Sequence, residues 1–348
     1  MAIDWTSGYS VAAWRLFSVN RQTWADGPEV GGLVSAAVNS SASDDLIQRA
    51  TLSVDMDVGR TLAPGYYRLA MTAEQGGETE RVDICTVLCE AVGDVVDRGV
   101  STLDVTGLSV LYPASVQSLA AGSYVPMGVD GPSYMADMLR ATINAPVNVI
   151  GAFTVDRHVV FDQRTSVLAA VRTVLDAGGY TLAIDGRGEV TISPRPSTVT
   201  LTLDNASARL LHPSISRRLD HSEVPNVYRT TYGGELAQAV NDDPNSVTST
   251  VMRGWVSRVD DDDPIPVGGE TLQAYVERML EERSTVSDTR TYTREWWPGV
   301  TVGSLVQGTI ASVGIDGIFR VDSQQLSCGK GITVQEQSSR EVRTWQRP

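Results

Sequence analysis

Hydrophobic and polar positions follow two periods along this chain. One gives way to the other within residues 162–194, DQRTSVLAAVRTVLDAGGYTLAIDGRGEVTISP. Val167, Leu168, Val171, Val174 and Leu175 recur at helical spacing and leave Arg164, Arg172 and Asp176 for the other side, which predicts a short amphipathic helix. Thr165 or Ser166 can cap its start, and Gly178 and Gly179 can supply the left-handed residue that ends it without a Cβ penalty. Alternation then takes over. Tyr180, Leu182 and Ile184 share one face of a strand, DGRG at 185–188 makes a tight reversal, and Val190 and Ile192 return along a second strand that Pro194 stops. The unit reads helix, double glycine, β-hairpin, and it holds no evident chemistry.

On its N-terminal side, residues 9–111 read as short β segments separated by turn signals. Val11, Ala13, Arg15, Phe17 and Val19 alternate with other residues; further strands are predicted at 33–38, 50–56, 66–72 and 83–92, with DGPE, APG and EQGGE between them. From 115 to 150 the period changes: Tyr134, Met135, Met138, Leu139 and Thr142 fit one face of a helix opened by Ser133. After Pro196 alternation resumes, through 199–203 and the VYRTTY segment of 227–232, then a polar loop NDDPNSVTST and an acidic loop at 260–263. Leu272, Tyr275, Val276, Met279 and Leu280 hold one apolar stripe of a helix at about 271–284, and strands close the chain. The pattern as a whole predicts a mainly β fold with an α+β insert. Two small antiparallel β-barrel-like domains, 1–114 and 197–348, flank a helix plus β-hairpin domain at 115–196.

The helix ending in AGGY, its strand, the D-G-x-G turn and the following V-x-I-S-P strand resemble the central segment of the hub proteins at the tip of bacteriophage tails. PNVYRTTYGG, TLQAYVERMLEERS, YTREWWPGVTVGSLV and GIFRVDSQQLSCGKGITVQ then follow in the order found in those proteins, so that the resemblance spans 134–335. It implies a structural component of a tail tip or baseplate. Three copies would form a ring at the distal end of the tail tube, two similar barrels per chain giving a pseudo-sixfold docking surface. The ring would anchor tip proteins and fibres and form part of the DNA-ejection channel. The implied partners are further copies of itself, the tail tube or distal tail protein, the tape measure protein, and fibre or tip proteins, with DNA present only in transit. The implied location is the virion tail tip, after synthesis in the host bacterial cytoplasm. No lysozyme-like or peptidase-like module accompanies the matching segments.

Charge supports that picture. The 348 residues hold 28 basic and 42 acidic side chains, a net charge of −14, which argues against a surface built to grip nucleic acid and suits one that DNA must slide past. No run of about 18 apolar residues appears, so no stable membrane binding is expected, and the start MAIDWTSGYSVAAW lacks the basic opening of a signal peptide. Cys85, Cys89 and Cys328 are too few and too odd in number for a disulfide scaffold; in a strand, Cys85 and Cys89 would lie roughly 13 Å apart and read as small core residues.

Candidate chemistry is sparse. His158, His212 and His221 have no ligand spacing, G-x-S-x-G and Walker patterns are missing, and four consecutive aspartates lack the alternation of a calcium loop. No enzyme activity, metal or cofactor is therefore expected. Trp296 and Trp297 point to opposite faces if extended, so one of them, with Tyr232, is a candidate contact for a partner or a glycan. That leaves a carbohydrate- or receptor-binding module of the tail tip as the alternative function. Asp260, Asp261, Asp262 and Asp263 are candidates for an acidic lumen lining.

Overall fold

Alternating segments become strands only where another segment lies alongside to take their hydrogen bonds. In the computed structural model that pairing reaches from one end of the chain to the other. The structure describes residues 3–5, 8–55, 62–97, 100–156, 158–204, 215–232, 234–261, 271–310, 315–329 and 331–346. His212, Asp262 and Asp263 lie outside the described residues. By contacts the chain divides into two compact units, one formed by 1–214 with 292–337 and the other by 215–291 with 338–348. The segments 1–114 and 115–196 both fall in the first unit, and 197–348 is shared between the two.

In the first unit Ile315–Cys328 pairs antiparallel with Leu33–Ser41, placing Leu326 opposite Val38, and the sheet continues through Gln48–Asp55, Val100–Ser109, Glu78–Asp97, Gly65–Gln75 and Ser10–Val19 to Asp26–Val30. Leu305–Ile310 pairs with Ile315–Cys328 and carries Val199–Asp204 parallel beside it. Strands far apart in sequence thus share one sheet, whose core gathers Leu16, Leu52, Leu69, Met71, Val87, Leu103 and Val334. At ~1.5–3 kcal/mol for each large apolar side chain removed from water, this core dominates the stability of the sheet. A bulge between Val11 and Ala13 shifts the phase of the first strand, so that Leu16 is buried while Phe17 lies under the guanidinium of Arg81.

A second core in the same unit is built around the helices Gly131–Arg140 and Val167–Ala177 and the hairpin strands Tyr180–Ile184 and Val190–Pro194. The first of these helices starts earlier than Ser133: Asp130 holds the N-cap position and Pro132, with its fixed φ, stands in the opening turn. For the second, Ser166 provides the cap, its Oγ accepting from Ala169 N–H at 3.1 Å. Gly179 takes the left-handed conformation, φ 72°, that lets the chain leave the helix. Val147–Val149 adds a parallel strand to the hairpin.

In the second unit Ser216–Leu219 pairs with residues 288–291 of Thr285–Glu295, and a separate sheet of Glu235–Val240, Val227–Tyr232 and Arg258–Asp261 packs one face on the helix Leu272–Arg283. Thr271 caps that helix through Ala274 N–H at 3.2 Å, and Tyr275, Val276 and Leu280 form its buried stripe with Tyr228, Ala237 and Ala239. The segment 241–250 departs from the sequence expectation. It is polar, but it is not a solvated loop, since Asn241, Ser246, Thr248 and Ser249 are all buried.

Candidate functional site

The aromatic and acidic residues singled out in the sequence separate once folded. Trp296 is buried in the core of the first unit, edge-on to Trp5 at 6.4 Å between centroids, and its carbonyl accepts from Tyr9 O–H at 2.7 Å. Of the two tryptophans Trp296 is therefore the core member and is removed from the candidate contacts: an indole packed edge-to-face in a core presents no stacking face to a ligand. Trp297 is half-buried, and its carbonyl accepts from Val300 N–H at 3.2 Å. Tyr232, in the second unit, stands exposed at the end of its strand.

The acidic run is not a loop at its start. Asp260 and Asp261 belong to the strand Arg258–Asp261, where alternation sends them to opposite faces. Asp260 lies between Arg229 Nε at 2.7 Å and Arg258 Nε at 3.0 Å; burial opposes its ionisation, but the two guanidinium groups prevail and hold the carboxyl below the usual carboxylate range. Asp261 turns inward and accepts from Tyr228 O–H at 2.6 Å and Tyr275 O–H at 2.7 Å, joining the strand to the helix. Burial, followed by that carboxylate, pushes the Tyr228 phenol up. Asp261 is thus a structural acceptor and not a free charge.

Other charged networks are internal, and no sequence pattern announced them. In the second unit Asp288, fully buried, receives Arg217 Nε at 2.9 Å, an Arg290 guanidinium nitrogen at 3.0 Å and Arg340 Nε at 3.4 Å. In the first, buried Glu336 accepts from Tyr292 O–H at 2.5 Å, Arg294 at 2.6 Å and Gln324 Nε2 at 2.8 Å. Arg68, also fully buried, pairs with Asp26 and donates to Thr86 Oγ1 at 3.1 Å and to the carbonyl of Arg187 at 2.9 Å. This last network receives the tip of the hairpin. Trp24 Nε1 donates to the same Arg187 carbonyl at 2.8 Å, and Thr86 Oγ1 to that of Gly186 at 3.1 Å. Such buried charges hold their geometry because an unpaired one would cost several kcal/mol (~3–5).

Reactive groups are likewise built in. Cys85, Cys89 and Cys328 are free and buried; burial pushes the thiols of Cys89 and Cys328 up to about 12 and that of Cys85 further. Among the described residues no cluster of three His, Cys, Asp or Glu could hold a metal ion, and no helix is long and apolar enough to cross a membrane.

What the structure offers instead is an apolar surface. Half of the sixteen exposed large hydrophobic residues among those described fall between Tyr232 and Val256, and five of them, Val247, Val251, Met252, Trp255 and Val256, lie on one short excursion. The polar sequence of 241–250 explains how a turn can present so much apolar surface. Four of its hydrophilic residues are buried and brace it: Asn241 Nδ2 donates to Ser246 Oγ at 2.9 Å, Ser246 Oγ to the carbonyl of Thr344 at 3.0 Å, and Ser249 Oγ caps the helical turn Thr250–Arg253 through Met252 N–H at 3.1 Å. Arg253 donates to the carbonyls of His221 and Val224 and lies over the Trp255 ring at 4.9 Å. Asn226 Nδ2 holds the Trp255 carbonyl at 2.9 Å. Apolar side chains fixed this way on a turn form an exposed patch of the kind that interaction surfaces carry.

No protein-family model matches this chain, and no curated protein matches it in sequence. Solved structures do match. The 43 kDa tail protein of prophage MuSo2 from Shewanella oneidensis is 14% identical, with 95% of this chain and 98% of that one covered at a TM-score of 0.62. A tail protein from Neisseria meningitidis MC58 is 13% identical, covering 95% and 96% at a TM-score of 0.64. A chain of the Francisella PdpA–VgrG complex is 8% identical at a TM-score of 0.56; the match takes in 95% of this chain and 58% of that longer one.

Proposed function

We propose that this chain, which has the fold of phage tail proteins, is a structural hub of a bacteriophage tail tip and not an enzyme. The observation that carries the reading is the match of the fold with two tail proteins over 95% of this chain and 98% and 96% of theirs. Three copies form a ring at the distal end of the tail tube. The ring docks on the tube or distal tail protein, receives the tape measure protein, anchors fibres or tip proteins, and leaves an opening for the genome. Its place is the virion tail, after synthesis in the cytoplasm of the host. Two features of the chain favour this work. The exposed apolar excursion at 247–256 suits assembly, and a net charge of −14 disfavours adhesion of DNA moving past.

The test is the solution mass by light scattering, with and without the tube and distal tail proteins, followed by electron microscopy of any ring. A threefold ring, alone or on those partners, is the expected result. A monomer indifferent to all of them would end the hub reading.

A further inference from the structure

Two surfaces of this chain have matching chemistry. The first is the braced turn 247–256. Its five apolar side chains are each about half to three-fifths exposed and, at ~150–250 Å² for a large side chain, leave roughly 500 Å² open to solvent. That is more than half of the ~800 Å² that one partner contributes to a stable interface. Arg253 is the single charged side chain of this turn. The second is a groove of about 360 Å³ in the first unit, between the segment 153–159 and the end of the helix Val167–Ala177. Phe153, Val155, Val159, Val174 and Ala177 line it, and Phe153 is set against Tyr180 at 5.0 Å between ring centroids. Among the described residues its single charged lining residue is Asp156, exposed. A projecting apolar turn with one cation and an open apolar groove with one anion thus occur on the same polypeptide, and the turn stands exposed in the single chain.

We propose that the turn 247–256 of one copy seats in the 153–178 groove of the next, with Arg253 facing Asp156. The inference rests on the ring reading above and names its interface. Because the two surfaces differ, the contact is head-to-tail, and three such contacts of suitable rotation close into a ring without a two-fold axis. The opposite charges fix the register of an otherwise non-directional apolar contact.

Met252→Asp in the turn and Ala177→Arg in the groove test this, since both side chains are exposed and neither change should lower the melting temperature followed by circular dichroism. Light scattering of the wild type should give three copies, and each variant should weaken self-association by roughly tenfold or more. An equal mixture of the two variants should form pairs and no rings, because one sound turn and one sound groove remain between them. A photoreactive phenylalanine replacing Trp255 should cross-link to peptides from 153–178. If the wild type forms trimers and both variants do so equally well, or if the cross-link maps elsewhere, this interface is wrong while the ring stands. A wild type that stays monomeric at every concentration, with or without tail partners, removes both.

Discussion

Gly186 and Gly179 are both glycines at the ends of one hairpin unit, yet they answer to different forces. A Cβ at residue 186 would stand 1.8 Å from the carbonyl oxygen of Asp83, so Gly186→Ala must lift the hairpin tip off its seat on Arg68, Thr86 and Trp24. We expect a loss of about 3 kcal/mol in urea unfolding, as for other overpacked sites. Gly179→Ala meets no atom within 4 Å and bears only the strain of its positive φ, about 1–2 kcal/mol. Equal losses for the two would mean the tip is not seated. The thiols give a pH prediction. In the folded state they titrate near 12 or above, so below the ordinary thiol value of 9.0 both states hold their protons and stability is full. As pH rises past 9 only the unfolded chain ionises, and stability should fall by about 1 kcal/mol per cysteine between pH 9 and 10. Replacing the three cysteines by alanine or valine should flatten that slope. In the wild type no thiol should react with a thiol reagent at pH 8 without denaturant.

At the level of elements, the helix Val167–Ala177 and its hairpin were legible because every signal is local. Ser166, the double glycine and the alternation of Tyr180, Leu182 and Ile184 all act within a few residues of one another. Ser166→Ala should cost about 1 kcal/mol. The segment 241–250 was misread for the opposite reason. A mostly polar stretch fits a solvated loop equally well, and what internalises Ser246 and Thr248 is hydrogen bonding to the distant Thr344. Asn241→Ala, which strips Ser246 and Thr248 of a buried donor, should cost about 2 kcal/mol in chemical unfolding; a loss below 0.5 would mean the brace does not hold the turn. Met252 and Trp255 lie beyond this brace, so the same substitution should weaken self-association as well.

For the whole molecule, the excess of acidic residues carries its own expectation. Duplex DNA should show no retardation by this protein in an electrophoretic assay at physiological salt, since a phosphate backbone needs clustered cations to displace its counterions. Retardation that declines steeply with salt would reveal a basic face and overturn the idea of passage without adhesion. Assembly belongs to this scale too. Five exposed apolar residues share one excursion, so among exposed positions substitutions that block assembly without lowering the melting temperature should cluster there.

The sequence by itself determined the helices Val167–Ala177 and Leu272–Arg283, the hairpin after the first and several of the other strands, because alternation, helical spacing, caps and turn residues act over a few positions of backbone; DGPE, a turn signal by composition, lies instead in the strand Asp26–Val30. It also carried the resemblance to tail hub proteins, through the order of those segments. Tertiary structure alone decided which strands are neighbours: Ile315–Cys328 lies beside Leu33–Ser41 because hydrogen-bond pairing is indifferent to distance along the chain. It alone decided that Trp296 is core, that Asp261 faces two tyrosines, and that Arg68 is buried under a hairpin tip. A side chain's solvent and partners come from residues elsewhere in the chain, and no local pattern records them.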